Sequence, residues 1–301
     1  MANSIALITE YLAELDKVYK YESKTSVLDT PMAAIKQTDN AKTIKIAKMA
    51  LQGLGDYDRS TGYVEGDATL TWEDHTFTQD RARKFNVDTL DNLETANVSF
   101  GMLAAEFIRN HTVAEFDAYR MASYSAVAGN SAEADMSTGA DVLAAIDAAS
   151  EALDDAEVPE DGRILFISNS CYKLLKNSPD VTRFIGQGND KAFDRQFKVF
   201  DDMEVVKMPK SRFYTAITQH DGSTAGQEAG GYIKNVAGKD INFMIIHPSA
   251  VIQLVKHTVT KIISPEQNQI RDGWAYYFRA YHDAWAYENK VNGIYLHNKT
   301  T

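Results

Sequence analysis

From Asp91 to Ala128 the chain runs without a proline and with a single glycine, Gly101, and this stretch restricts what the rest of the molecule can be. Leu93, Phe100, Phe107, Ala114 and Met121 recur every seven residues, with Ala96, Leu103 and Tyr124 beside them, so one apolar stripe follows a helical path. Asp91 with Glu94 makes a capping-box-like start, since an acidic side chain accepts from the free N–H groups of a first turn while the Glu reaches back. The spacing predicts a helix from near Asn92 to about Ala128, about 37 residues and ~55 Å long at 1.5 Å per residue. No second helix of matching length exists in the sequence, so the long one either pairs with its own copy or lies as a spine across a sheet.

The flanking segments have patterns of their own. Ile5, Ile8, Leu12, Leu15 and Tyr19 fall at steps of three and four, one face of an amphipathic helix over residues 4 to 20. Tyr21 to Ala41 is polar with scattered apolar groups and reads as an extended arm that must lie on something. Alternation begins at Lys42, with Ile44 and Ile46 on one face and Lys45 on the other, and resumes from Ala68 to Thr78. Between these strands sits a tip rich in Gly and acid, from Gly53 to Asp67. A long hairpin is expected there, and because one two-stranded ladder buries little surface it is expected to lean on another chain.

Gly129 to Gly139 is small and polar, a plausible domain boundary. Beyond it Val142 to Leu153 reads as a helix, Pro159 and Asp161-Gly162 as a turn, and Arg163 to Ser168 as a buried strand. A short helix with Tyr172, Leu174 and Leu175 follows, then core strands at Met203 to Met208 and Ile241 to Ile246, separated by a Gly-rich surface loop from Asp221 to Gly231. The end is strand-like: Lys256 to Ile263, Trp274 to Glu288, and Gly293 to His297 after an Asn292-Gly293 turn. Seven of the fourteen residues from Trp274 to Tyr287 are aromatic and occur on both faces, so both faces are expected to be covered. The whole is an α+β chain.

Chemistry-bearing motifs are sparse. No apolar run approaches the ~20 residues of a spanning helix, and the first twenty residues lack the basic start and apolar core of a signal peptide. The single cysteine, Cys171, fits a reducing cytoplasm and a buried structural role. A net charge of −11 repels polyanions, which disfavours general nucleic-acid binding. His282 and Asp283 lack the further ligands a metal needs, and read as a hydrogen-bonded His with a partnering Asp in an aromatic strand. Ser168, Ser170 and Cys171 follow a strand where a nucleophile could sit, yet no base can be assigned and Gly-x-Ser-x-Gly is absent. The pairs Gly53 and Gly55, and Gly186 and Gly188, lack the third glycine of a dinucleotide loop and read as turns. Arg81, Arg83 and Lys84 form the one compact basic cluster, expected to pair with acidic groups on a neighbouring chain. No catalytic, cofactor-binding or metal-binding residue is assigned, and the chain is not expected to be an enzyme.

The order of parts, arm, long hairpin with a Gly/Asp tip, very long helix, central α+β domain and returning strands, resembles the major capsid proteins of tailed bacteriophages, whose fold herpesvirus shells and encapsulins share. Gly66–Glu73 (GDATLTWE) and Phe77–Asp88 (FTQDRARKFNVD) are similar to the descending hairpin of capsid proteins from phages of low-GC Gram-positive hosts; Asp91–Thr95 (DNLET) and Ala105–Arg109 (AEFIR) are similar to its helix start and middle. The resemblance covers about residues 40 to 297. It implies an N-terminal arm (1–41), an extended hairpin loop (42–88), a peripheral domain with the spine helix (89–137) and returning strands (256–301), and an axial domain (138–255). It implies self-assembly through hexamers and pentamers into an icosahedral shell, built in the bacterial cytoplasm, that encloses double-stranded DNA without binding it specifically. Scaffolding and portal proteins are implied partners, with a decoration protein as a further one; an arm starting close to Met1 points to a separate scaffolding protein. No cofactor and no membrane are implied. Some family members cross-link a hairpin Lys to a neighbour's Asn, and Gln52 to Gly66 contains no lysine, so that chemistry is not expected here. Rival readings are an encapsulin-like compartment, which a cargo peptide on a partner would favour, an α+β hydrolase, which a clustered catalytic set would favour, and a virion protein that only decorates.

Overall fold

A computed structural model describes residues 23–30, 36–37, 42–60, 62–89, 104–179 and 199–300 of the chain. The expected helix over residues 4 to 20, the start signal at Asp91 and Glu94, and the Gly186 and Gly188 pair lie outside the described residues.

Alternation builds the first sheet. Strand β1 (Lys36–Gln37) pairs antiparallel with β2 (Thr43–Leu51), which pairs with β3 (Ala68–Thr76) from Thr43 opposite Thr76 to Leu51 opposite Ala68. Ile44 and Ile46 are buried while Lys45 reaches Asp74 across the ladder. Strand β4 (Gln79–Asp88) follows, its half-buried Arg81, Arg83 and Phe85 alternating with exposed Asp80, Ala82 and Lys84. The long helix is described over 104–127, with a π-helical turn at Ile108–Thr112 leading into α1 (Val113–Val127).

Strand β5 (Asn130–Glu133) and helix α2 (Gly139–Asp155) come next. Helix α2 starts three residues before the expected Val142 because Thr138 and Asp141 form a capping box: the Thr138 Oγ1 accepts from the Asp141 N–H, and the Asp141 carboxylate accepts from the Thr138 N–H at 2.8 Å. Strand β6 (Ile164–Ser168) runs into α3 (Asn169–Lys176), whose first turn Ser168 caps through the Cys171 N–H. The remaining strands are β7 (Val199–Phe200), β8 (Met203–Met208), β9 (Ile217–Gln219), β10 (Tyr232–Lys234), β11 (Ile241–Ile246), β12 (Val251–Ile263), β13 (Gly273–Ala286) and β14 (Ile294–Asn298).

The central sheet has the order β5-β14-β11-β6-β8-β7, with β5 parallel to β14 and β6 parallel to β8. Period-two alternation sends Leu165, Ile167, Phe243 and Ile245 toward α2 and α3, and Ile164, Phe166, Met244 and Ile246 toward Met121 and Tyr124 of α1. Each such side chain contributes about 1.5–3 kcal/mol on burial, so both faces must be covered for the strands to persist. The second large sheet, β12-β13-β4, carries the helix on one face, through Ile108, Val113 and Phe116 against Tyr276, Phe278 and Ala280. Its other face receives the hairpin base, where Ile44, Ile46 and Phe77 meet Ile252 and Leu254.

Several expectations change. The described part of the helix lies across a sheet. It is buried more widely than one stripe, with Glu115, Asp117 and Arg120 buried too, because the sheet and the chain's own residues 23–30 enclose it. Residues 23–30 do not await a neighbour: Leu28 enters the central core. The expected boundary from Gly129 to Gly139 contains β5, since Gly129 lets its backbone pass where a Cβ would stand 2.6 Å from the Asn292 Oδ1 and where its N–H bonds the Val291 carbonyl at 3.0 Å. No tight turn forms at Asn292-Gly293; a 3-10 segment, Glu288–Gly293, carries β14 away from β13 into the central sheet beside β11. The last strand, expected with the peripheral domain, therefore lies between β11 of the 138–255 region and β5 of the 89–137 region. The aromatic strand is also covered unevenly: Tyr276 and Phe278 are buried, Tyr281 and Trp285 lean on the hairpin base, and Tyr277 stays half-buried beneath the Lys84 ammonium.

Candidate functional site

The hairpin β2–β3 is anchored at one end and bare at the other. Phe77 packs edge-on against Trp285 at 5.0 Å between centroids, and Lys48 reaches Glu73 at 3.0 Å and Glu288 at 2.5 Å. Beyond this base the side chains turn outward. Among the described residues, eight of the fourteen exposed large apolar side chains lie between Met49 and Trp72, including Leu54 and Tyr63, which are 108% and 89% exposed. Such a concentration on one projecting element marks an interaction surface. At the tip Asp58 and Gly62 exchange backbone hydrogen bonds of 3.3 and 2.8 Å, and Tyr57 meets Tyr63 edge-on. Asp56, Asp58, Glu65 and Asp67 are exposed on the same tip, so it carries acidic groups beside its apolar ones. Gly53 and Gly55 lie in the irregular backbone of this tip.

The arm is held by a buried carboxylate. Asp117, fully buried on α1, accepts from the hydroxyls of Ser23 (2.8 Å) and Thr25 (2.7 Å), from the backbone N–H groups of Lys24 (3.0 Å) and Thr25 (3.3 Å), and from Arg212 (3.2 Å). Arg120 donates to the Thr25 hydroxyl at 2.8 Å, and the Gln253 amide donates to Asp29 at 2.7 Å. Acid, guanidinium and arm thus form one connected network that sequence inspection did not single out; the signal available was three charges, Glu115, Asp117 and Arg120, among the apolar residues of one helix.

The candidates for chemistry land in structural roles. The Ser168 hydroxyl caps α3 and lies 3.1 Å from that of Ser170, while burial pushes the Cys171 thiol up and its sulfur lies 3.6 Å from the Asn242 amide oxygen. Among the described residues no histidine hydrogen-bonds any of the three, although His297 bonds the same Asn242 at 3.1 Å. His282 and Asp283 diverge: the Asp283 carboxylate accepts from the Thr78 N–H (2.7 Å) and hydroxyl (2.9 Å) and from the Tyr119 hydroxyl (2.6 Å). His282 is wholly buried, stacked 3.7 Å from the Phe116 ring, and neither ring nitrogen has a hydrogen-bond partner among the described residues, contrary to the expected hydrogen-bonded His. Burial, helped by the charges of Arg120 and Arg81, pushes its pKa down to about 3. Among the described residues no three His, Cys, Asp or Glu side chains gather as a metal site.

Within the chain, one member of the basic cluster finds an acidic partner and the other two meet a carbonyl and an aromatic ring. Arg81 bonds Glu115 of the helix, Arg83 donates to the Glu228 carbonyl at 3.0 Å, and Lys84 lies over Tyr277. The physical reason is the β4–β13 pairing, which lays the alternating face of β4 directly under the helix. Among the described residues no helix is long and apolar enough to cross a membrane.

No family model and no curated protein sequence matches the chain. Solved structures do. A chain in the capsid structure of the cyanophage P-SCSP1u superposes with a TM-score of 0.65 at 14% identity, over 91% of this chain and 87% of that one. The mature capsid of bacteriophage PhiM1 gives 0.58 at 11% identity, over 87% and 83%. The head structure of Helicobacter pylori bacteriophage KHP40 gives 0.56 at 14% identity, over 86% and 85%. The chain shares the fold found in these phage capsid structures along nearly its whole length.

Proposed function

We propose that the protein is the major capsid protein of a tailed bacteriophage and that it assembles through hexamers and pentamers into an icosahedral shell around double-stranded DNA. The carrying observation is the shared fold, which spans 91% of this chain and 87% of the cyanophage capsid chain, so that no large part is left over for another task. The exposed apolar hairpin supports it, because an element with a buried base and a bare tip gains stability only against another surface. In the proposed shell the bare tip of the hairpin (42–88) lies on an adjacent copy, while residues 23–30 of the arm (1–41) stay seated on their own chain. The parts 89–137 and 256–301 are peripheral and 138–255 axial, with Ile294–Asn298 joined to the axial part by its pairing. Weak contacts repeated by closed symmetry sum to a stable shell while single errors stay reversible. A net charge of −11 keeps packaged DNA loosely held. A scaffolding protein, a portal and a decoration protein complete the proposed partners, and the bacterial cytoplasm is the proposed site of assembly before the chain resides in the virion.

The test is the mass of the purified protein by size-exclusion chromatography with light scattering, followed by negative-stain imaging. Capsomers, shells or tubes are expected for the wild type. Leu54→Asp with Tyr63→Ser is expected to leave a 33.5 kDa monomer that melts at the wild-type temperature. A wild type that remains monomeric even with its scaffolding protein would overturn the proposal, and particles filled with cargo protein rather than DNA would replace it with a compartment.

A further inference from the structure

We infer that the cleft beneath the Asp221–Gly231 loop is a binding site for a small oxyanion of the phosphate class. The cleft holds about 170 Å³ and is closed on three sides, by the helix-facing side of β4, by the π-helical turn with the start of α1, and by the loop. Every group belongs to one chain, so the inference stands apart from the capsid reading.

The hydrogen-bond capacity on the cleft walls is lopsided. Its two carboxylates are already engaged by the chain. Glu115 takes Arg81 and the Gln219 amide (3.4 Å); the Asp221 carboxylate takes the Ser223 and Thr224 N–H groups (2.8 Å each) and the Thr224 hydroxyl (2.6 Å). The carbonyls of Gly231 and Glu228 take Arg81 and Arg83. Its donors are in surplus. Arg83 has given one N–H to a backbone carbonyl and has no carboxylate within ion-pair distance among the described residues. The imidazoles of His111 and His220 make no hydrogen bond to the described chain, and the buried Thr112 hydroxyl has no partner there. Arg81 is balanced by Glu115, whereas Arg83 with the Thr112 hydroxyl and the two imidazoles leaves donors open, so a matching ligand brings acceptors to that side, as an oxyanion does, and a guanidinium suits it through paired N–H groups.

The surroundings favour the same ligand. Phe85, Phe107 and Phe278 floor the cleft with apolar surface, which strengthens a charge contact by excluding water. The loop backbone closes directly over Arg83: a Cβ on Gly222, at φ +76°, would stand 2.9 Å from the Arg83 Nη1, so glycine is what permits the approach. With a water occupying about 30 Å³, the volume takes one tetrahedral oxyanion and a few waters. A bound oxyanion would tie the loop to β4 and the helix.

The test uses the unassembled full-length chain with labelled histidines, titrated with inorganic phosphate against chloride at constant ionic strength. Two of the seven histidine resonances, assigned with His111→Asn and His220→Asn, are expected to shift saturably with phosphate. Arg83→Gln is expected to raise the half-saturating concentration at least tenfold, whereas Arg279→Gln, which removes the partner of Asp80 on the opposite face of the sheet, leaves it unchanged. If Arg83→Gln fails to fold, the phosphate-induced rise in melting temperature of wild type against His220→Asn serves instead. A short oligonucleotide that shifts the same two resonances at lower phosphate concentration would assign the oxyanion to a nucleic-acid backbone rather than a free ion. Shifts equal in chloride, or unsaturable, or indifferent to Arg83 would overturn the site.

Discussion

At the scale of single residues, the sharpest feature is His282, a titratable ring sealed between Phe116 and Tyr119 with no hydrogen-bond partner among the described residues. Its folded pKa of about 3 lies below the ordinary 6.5, so between these values the unfolded chain binds the proton that the folded chain refuses. The stability this group permits is complete above about pH 6.5 and falls as the pH drops toward 3, by up to about 1.4 kcal/mol per pH unit. Urea midpoints measured from pH 7 to pH 4 are expected to fall less steeply for His282→Leu than for the wild type; parallel curves would mean that His282 does not carry this part of the acid response. The His282-Asp283 pair is conspicuous in the sequence, but its meaning is not. The partners sit more than 160 positions away, and one of them, Tyr119, touches both residues, packing on the His282 ring and donating to Asp283.

Among elements, the arm and the helix α1 depend on each other through Asp117. Truncating Asp117 to Ala removes the acceptor from five donors at once and leaves Arg212 without its carboxylate. Arg212 is only partly buried, so the loss is chiefly that of charge-assisted hydrogen bonds to a buried carboxylate, about 3 kcal/mol in all. Chemical denaturation is expected to show a drop of that size, and trypsin is expected to cut at the exposed Lys24 sooner than in the wild type. An unchanged cleavage rate would show that residues 23–30 are held by Leu28 and Gln253 alone. Helices and strands were legible wherever local periodicity carried them: the alternation of Ile44 and Ile46, the apolar runs of β6, β8 and β11, and the face of α2 marked by Val142, Ile146 and Leu153. The cap of α2 was missed, although Thr138 and Asp141 carry its spacing. The π-helical turn at Ile108–Thr112 has no sequence signal that distinguishes it from ordinary helix.

For the whole molecule, burial grades from the central sheet, with both faces covered, to the hairpin tip, with none. Opening free energies follow the same gradient, because local stability reflects how much apolar surface each unit buries. Amide exchange of the unassembled protein is expected to be slowest in β6 and β11 and fastest over Gln52–Asp67; assembly is expected to slow the tip and leave the central sheet unchanged. Equal exchange at the tip before and after assembly would place the contacts elsewhere. The order of parts, the hairpin with its exposed tip and the α+β character were determined by the sequence itself, because period-two and helical spacing, turn residues and caps act between near neighbours. The tertiary structure alone decided the rest. It put β14 beside β11 instead of β13, turned Arg81 onto Glu115 instead of a neighbouring chain, seated the arm on Asp117, and brought Arg83, His111 and His220 to one cleft. Those contacts join residues 28 to more than 100 positions apart, and a chain chooses among such distant pairings by how completely all its surfaces can be buried and paired at once, which no local pattern records.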